Sequence, residues 1–278
     1  MVDATDSSPD HIDHIDQPTT KVSSFDIDKL PASFKQFLKE NDIDPEIYTV
    51  ATLPRYVRLN THLPTEKRPT VHDLRQQLDT EEVYPVKGLE NFFRIQLSSK
   101  RISDTQAYKD HTIFGIDLSS AIAVEALDIK PDDQILDLCC APGAKLCMVA
   151  NVLGREGLGT ATGVDLAGHR LATCRSLLKK YKVGEKVRLF EADGTRFQVP
   201  PPSRLGNRVI QTNQDSKRAK PETVKPFWAS RLLRFDRQIK ADLYDKVLVD
   251  AECTHDGSIL HILKVSYYDK QLYLTTLV

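Results

Sequence analysis

Gln134-Ile-Leu-Asp-Leu-Cys-Cys-Ala-Pro-Gly-Ala-Lys145 is followed at once by Leu-Cys-Met-Val-Ala-Asn-Val-Leu153. An apolar run ends on an acid, Asp137. A Pro-Gly turn comes next, and the residues after it have no breaker, which predicts a strand, a tight turn and a helix over 144–153. Outward from this stretch the pattern repeats. Thr160-Ala-Thr-Gly-Val-Asp165 reads as a second strand, and 168–181 as a helix with Leu171, Cys174, Leu178 and Tyr181 on one face. Val187-Arg-Leu-Phe-Glu-Ala-Asp193 reads as a third strand, and Tyr244-Asp-Lys-Val-Leu-Val-Asp250 as a fourth. An apolar helix is expected over 121–127. Strands alternating with helices imply βαβ units and a parallel sheet covered on both faces, so the fold class is α/β with a Rossmann-like sheet.

The chemistry expected of such a sheet lies at the carboxyl ends of its strands. Asp165, Asp193 and Asp250 each close a strand, and the turn Cys139-Cys-Ala-Pro-Gly-Ala-Lys145 opens a helix whose first amides favour an anionic group. A carboxylate after the second strand suits both hydroxyls of a ribose. One after the third can reach an adenine amino group, with Gly194 leaving room for the ring. Structural capping is the alternative for each acid taken singly. The turn is neither Gly-x-Gly-x-x-Gly nor Gly-x-x-x-x-Gly-Lys-Ser/Thr, which weakens a nicotinamide oxidoreductase and a P-loop enzyme alike.

The chain has 278 residues, with 38 Lys plus Arg against 39 Asp plus Glu, so net charge gives no long-range attraction to polyanions. No apolar stretch approaches the roughly 20 residues that span a bilayer, so no membrane partner is expected. The five cysteines have neither disulfide-framework nor zinc spacing, which points to a reducing compartment, nucleus, nucleolus or cytoplasm. Residues 1–24 carry five Asp and one Lys and read as a disordered acidic tail. Residues 25–110 read as a small α+β module. Its signals are short helices over 31–48, a strand at 55–60, a helix over 70–78 capped by Thr70, and strands near 84–86 and 92–97. Arg55, Arg58 and Arg94 on those strands are candidate phosphate contacts. The connection 198–243 is far longer than usual. Between 200 and 240 it holds ten Lys or Arg against three acids, with Phe227, Trp228 and Phe235 interleaved. That composition fits a surface that follows a phosphate backbone and stacks bases, and equally a solvated basic loop joined to an amphipathic helix at 228–239.

In their order and spacing these motifs resemble the Nop/Sun family, the RsmB-type RNA cytosine-5 methyltransferases. The core is Leu-Asp-Leu-Cys-Cys-Ala-Pro-Gly-Ala-Lys145 against a family pattern Leu-Asp-Leu-Cys-Ala-Ala-Pro-Gly-Gly-Lys. Gly-Val-Asp165 with Arg170 five residues on, Ala-Asp193-Gly194, and Val-Asp250-Ala-Glu-Cys253 against Asp-Ala-Pro-Cys continue it. The resemblance implies S-adenosylmethionine as cofactor. Cys139, Cys140, Ala141, Pro142, Gly143, Ala144 and Lys145 would wrap its methionine end, with Asp165, Arg170, Asp193 and Asp250 completing the site. RNA, rRNA or tRNA, would be the partner, presenting a single-stranded or flipped-out cytosine. Carbon-5 of cytosine becomes nucleophilic once a thiolate adds to carbon-6, and later loss of the carbon-5 proton expels the thiolate. Asp250 would hydrogen-bond the ring, and Cys253 matches the family cysteine that assists product release.

The attacking cysteine of the family lies in a later Thr-Cys-Ser motif, which has no counterpart before Val278. On this reading 111–258 is a cofactor-binding domain carrying the basic insertion 198–243, and 259–278 is an atypical tail. The chain is then expected to be C-terminally truncated, and its methyl transfer poor. The alternative is an inactive RNA-binding or regulatory form.

Overall fold

A computed structural model describes residues 27–30, 32–49, 53–96, 99–202, 225–233 and 243–251. In the first half, strands β1 (Arg55–Leu59), β2 (Val83–Pro85), β3 (Phe92–Ile95) and β4 (Ile113–Gly115) form an antiparallel sheet in the order β2-β3-β1-β4. The period-2 alternation read at 55–60 sets its two faces. Val57 and Leu59 turn to one side and pack with Val83, Ile95 and Ile113 against Leu74 and Leu78 of the helix Val71–Leu78. That helix starts in a capping box: Asp73 N donates to Thr70 Oγ1, and Thr70 N to Asp73 Oδ2. The short helices expected over 31–48 are an α-helix, Ala32–Glu40, and a 3₁₀ turn, Pro45–Thr49. The sheet's fourth strand lies past residue 110.

The second half holds the parallel sheet. Strands β5 (Gln134–Asp137), β6 (Thr160–Asp165), β7 (Val187–Glu191) and β9 (Lys246–Leu248) are mutually parallel. A two-residue strand, β8 (Trp228–Ala229), adds antiparallel to β7, giving the order β8-β7-β6-β5-β9. Counting Ala32–Glu40, Val71–Leu78 and Gln106–Lys109 as α1, α2 and α3, the helices α4 (Leu118–Glu125), α5 (Ala144–Leu153) and α6 (Gly168–Lys180) supply the apolar layer on one face, where Ile135, Ala161, Val187 and Leu189 meet Leu146, Val149, Leu171 and Leu178. On the other face Leu136, Val164 and Phe190 are covered by Phe197, Val199 and Tyr244, chain segments rather than helices. Arg188 is buried on that face, donating to Thr162 Oγ1 at 2.8 Å, to the Tyr244 hydroxyl at 2.9 Å and to Pro200 O. No helix among the described residues is long and apolar enough to cross a membrane.

The halves share a core. Phe92 and Phe114, on the face of the antiparallel sheet away from Leu74, join the apolar cluster of α4–α6. A buried polar lattice locks the join. Asn60 Nδ2 donates to Tyr181 O (2.9 Å) and His111 O (3.1 Å), and Asn151 Nδ2 donates to Asn60 Oδ1 (3.1 Å). Arg58 Nε and Thr61 Oγ1 both donate to Asn151 Oδ1. Arg58 is 6% exposed, so it is a packing residue of this join and not the phosphate contact expected from its place on a strand.

Candidate functional site

From β5 the chain steps to β6 and β7 on one side, then crosses to β9 on the other. Asp137, the last residue of β5, therefore lies opposite both Gly163 of β6 and Leu248 of β9. That is a topological switch point, the place at which open α/β sheets receive their ligands.

The turn from β5 to α5 is fixed at this point by backbone and side-chain bonds. Leu138 N donates to Leu248 O (3.0 Å) and Cys140 N to Val164 O (2.9 Å). Ala141 N donates to Asp165 Oδ2 (3.2 Å), and Arg170 Nη2 donates to Ala141 O (2.8 Å). The Ala141–Pro142 peptide is cis, and Gly143 takes φ +113. A Cβ at Gly143 would stand 2.8 Å from Cys174 Sγ, so the backbone crosses α6 too closely for a side chain. Asp165 is 4% exposed. Its Oδ1 accepts from Ala167 N at 3.1 Å, and Arg170 Nη1 stands 3.6 Å from its Oδ2. Lys145, in the first turn of α5, donates to Asp250 Oδ2 at 2.7 Å across the switch point.

Asp137 is the residue that the sequence reading passed over. It is 1% exposed; Oδ1 accepts from Cys139 N at 3.3 Å, while Oδ2 is buried without a partner. Burial above all, with Asp250 and Asp165 acting the same way, pushes its carboxyl up to about 7, against the Cys139 N–H bond and Lys145, which lower it. Three carboxylates thus converge at the strand ends against two cations, Lys145 and Arg170. A buried polar atom without a partner is costly, and one in such a place suits a cationic ligand group.

The other expected residues divide. Asp193 lies two residues beyond β7 and is exposed. Its Oδ1 accepts from Thr195 N (2.9 Å) and Thr195 Oγ1 (2.7 Å), bonds that hold its carboxyl below the usual range. Gly194 beside it lies against the start of the turn, since a Cβ there would stand 3.1 Å from Leu138 O. Pro142 is exposed, whereas Ala141 and Gly143 are buried and Ala144 is half-buried. Cys140 turns its side chain away from the strand ends. Its thiol points into the core, hydrogen-bonded with Cys174 and against Gly163, so only its main chain borders the turn. That hydrogen bond, then burial, raises the Cys140 thiol, while burial pushes Cys147 up to about 12 and raises Cys139. None of these three is an activated thiolate. Cys253 lies outside the described residues.

The basic segment is corrected as well. Trp228 is in a strand, not at the start of a helix over 228–239, and with Phe227 it packs on the main core. Arg175 stacks over Phe227 at 5.6 Å. Two of the three aromatics expected to meet bases are therefore spent on packing. Phe235 and most of the basic residues lie outside the described residues.

A parallel α/β sheet with acids gathered at its switch point can now be set beside what the chain is similar to. Residues 124–210 match the family described as 16S rRNA methyltransferase RsmB/F. Over 146 residues the chain is 30% identical to the 5-cytosine rRNA methyltransferase NSUN4 of Bos taurus, an alignment covering 52% of this chain and 28% of that protein. It is 25% identical over 198 residues to the probable ribosomal RNA small subunit methyltransferase B of Bacillus subtilis, covering 71% and 35%. These alignments span about a third or less of the relatives' length. Among solved structures, PH0851 superposes with a TM-score of 0.58 at 18% identity, covering 87% of this chain and 45% of that one, a likeness of fold. In sequence the chain is thus similar to RNA cytosine-5 methyltransferases of the RsmB/F and NSUN4 kind.

Proposed function

We propose that this chain binds S-adenosylmethionine at the switch-point crevice and serves methyl transfer to carbon-5 of cytosine in RNA. The observation that carries this reading is the partnerless Asp137 carboxylate, set beside the Lys145–Asp250 pair and beneath a turn tied to Asp165. A cofactor with an ammonium, a carboxylate and a ribose matches those groups. The ammonium takes Asp137 and Asp250, and the carboxylate takes the first amides of α5, a helix of ten residues. The ribose hydroxyls take lone pairs left on Asp165, and the adenine amino group takes Asp193. When bound, the cofactor supplies an electrophilic methyl group. The chain's own residues orient and protect: Asp250 hydrogen-bonds the cytosine ring, and Cys253 follows in the segment where the family cysteine assists product release.

Calorimetry of the full chain with S-adenosylmethionine tests the cofactor half. Binding is expected, weakened roughly tenfold or more by Asp165→Asn, which cannot accept from both Ala141 N and a ribose hydroxyl in the same way. A folded chain that takes up no cofactor defeats the proposal. Transfer of a labelled methyl group to RNA, compared between the wild type and Cys253→Ser, tests the other half. Cofactor binding without transfer leaves a regulatory RNA-binding form as the function.

A further inference from the structure

A second site lies on the antiparallel sheet, away from the strand-end crevice. Cavity space of about 460 Å³ opens between Tyr56, Tyr84, Val86, Lys87, Arg94 and Leu118. The sheet register explains it. Arg94 of β3 is the cross-strand partner of Tyr84 on one side and of Tyr56 on the other, so ring, guanidinium and ring stand in a row on one face. Arg94 lies 5.6 Å from the centre of the Tyr84 ring, Arg75 lies 5.9 Å from it, and Tyr56 is backed by Phe92 in a stacked pair. Tyr84 is 41% exposed, a large ring left open beside cations. Arg75 is partly neutralised by Glu81 at 3.7 Å, whereas Arg94 and Lys87 enter no ion pair among the described residues.

We infer that this groove binds an unpaired base of single-stranded RNA. The base lies against the Tyr84–Arg94–Tyr56 row, and Lys87 meets an adjoining phosphate. Aromatic faces and guanidinium planes hold bases whatever their sequence, and only an unstacked base can reach them, so duplex is excluded. The inference rests on the reading that the chain acts on RNA, and it adds a docking point outside the crevice, on the N-terminal module.

Fluorescence anisotropy with a labelled single-stranded oligoribonucleotide of mixed sequence, and the same sequence as a duplex, tests it on the full chain. Tyr84→Ala and Arg94→Gln are each expected to weaken single-strand binding roughly five- to thirty-fold, the worth of one stacked base. Their thermal melting and S-adenosylmethionine binding should stay unchanged, since both side chains are exposed and remote from Asp137 and Asp165. Tyr84→Phe should retain binding. Wild-type-like affinity in Tyr84→Ala, or a preference for duplex, overturns the groove while the RNA reading stands. A wild-type chain that binds S-adenosylmethionine but no RNA in either form overturns both.

Discussion

Two buried polar regions of this molecule can be set side by side. Where the antiparallel sheet meets α5 and α6, Arg58, Asn60, Thr61 and Asn151 satisfy one another and the carbonyls of His111 and Tyr181. At the strand ends, equally buried, Asp137 keeps an oxygen with no partner, and acids outnumber cations. Both regions bury polar groups, but the four side chains of the first satisfy one another, with the neighbouring His62 Nδ1 left unpartnered, whereas in the second the unpartnered atom belongs to an acid faced by two further acids. A satisfied network makes a rigid joint, whereas an unsatisfied buried group is a standing cost that a fold carries where something is to be bound.

The largest expected effect breaks the comparison at its open side. The Asp137 carboxyl titrates near 7 in the folded chain and near the ordinary 3.8 once unfolded. Between those values the folded state keeps a proton that the unfolded state has lost. Stability therefore falls as pH rises from about 4 to about 7 and levels off above that, by on the order of 4 kcal/mol from this group alone. Asp137→Asn removes that slope and leaves the protein more stable than the wild type at pH 8. Urea unfolding at a series of pH values reads it. A wild-type slope that persists in Asp137→Asn assigns the buried charge elsewhere.

The closed side comes next. Asn151→Ala strips a side-chain partner from Arg58, Asn60 and Thr61 at once, leaving the buried Arg58 Nε unpaired, and should cost about 3 kcal/mol with an unchanged urea m-value. A loss below about 1 kcal/mol, or a lowered m-value with the first-half strands melting separately, would show that the halves are joined by apolar contact alone.

What the sequence could disclose follows the same division. The parallel strands were legible because each is an apolar run closed by an acid, and α5 and α6 because ten or more residues suffice for a helical period to show. The two-residue strand β8 is too short for any period, and Trp228 therefore reads as the start of a helix. Alternation along β1 puts Arg58 on the face opposite Val57, but whether that face meets water or another layer depends on Phe92, Phe114 and α5, residues far along the chain. Asp137 stands within the motif that carries the family resemblance, legible as the acid that closes a strand but not as a site residue. Its significance lies in a hydrogen bond that is not made, and no spacing of residue types encodes that.

The smallest effect on stability, and the one that most sharpens the contrast, concerns the pair at the mouth of the open region. Lys145 and Asp250 meet at 2.7 Å with Asp250 half exposed, so breaking the pair should change folding free energy by less than about 1 kcal/mol. Its influence on Asp137 should be easier to see. Asp250 raises the Asp137 carboxyl and Lys145 lowers it. Asp250→Asn should therefore move the midpoint of the pH-dependent stability loss to lower pH, and Lys145→Met should move it higher. Opposite displacements from two partners of one ion pair are the mark of charge acting on a third, buried group. If both substitutions displace the midpoint the same way, the elevation of Asp137 reflects packing around the turn and not the charges that face it.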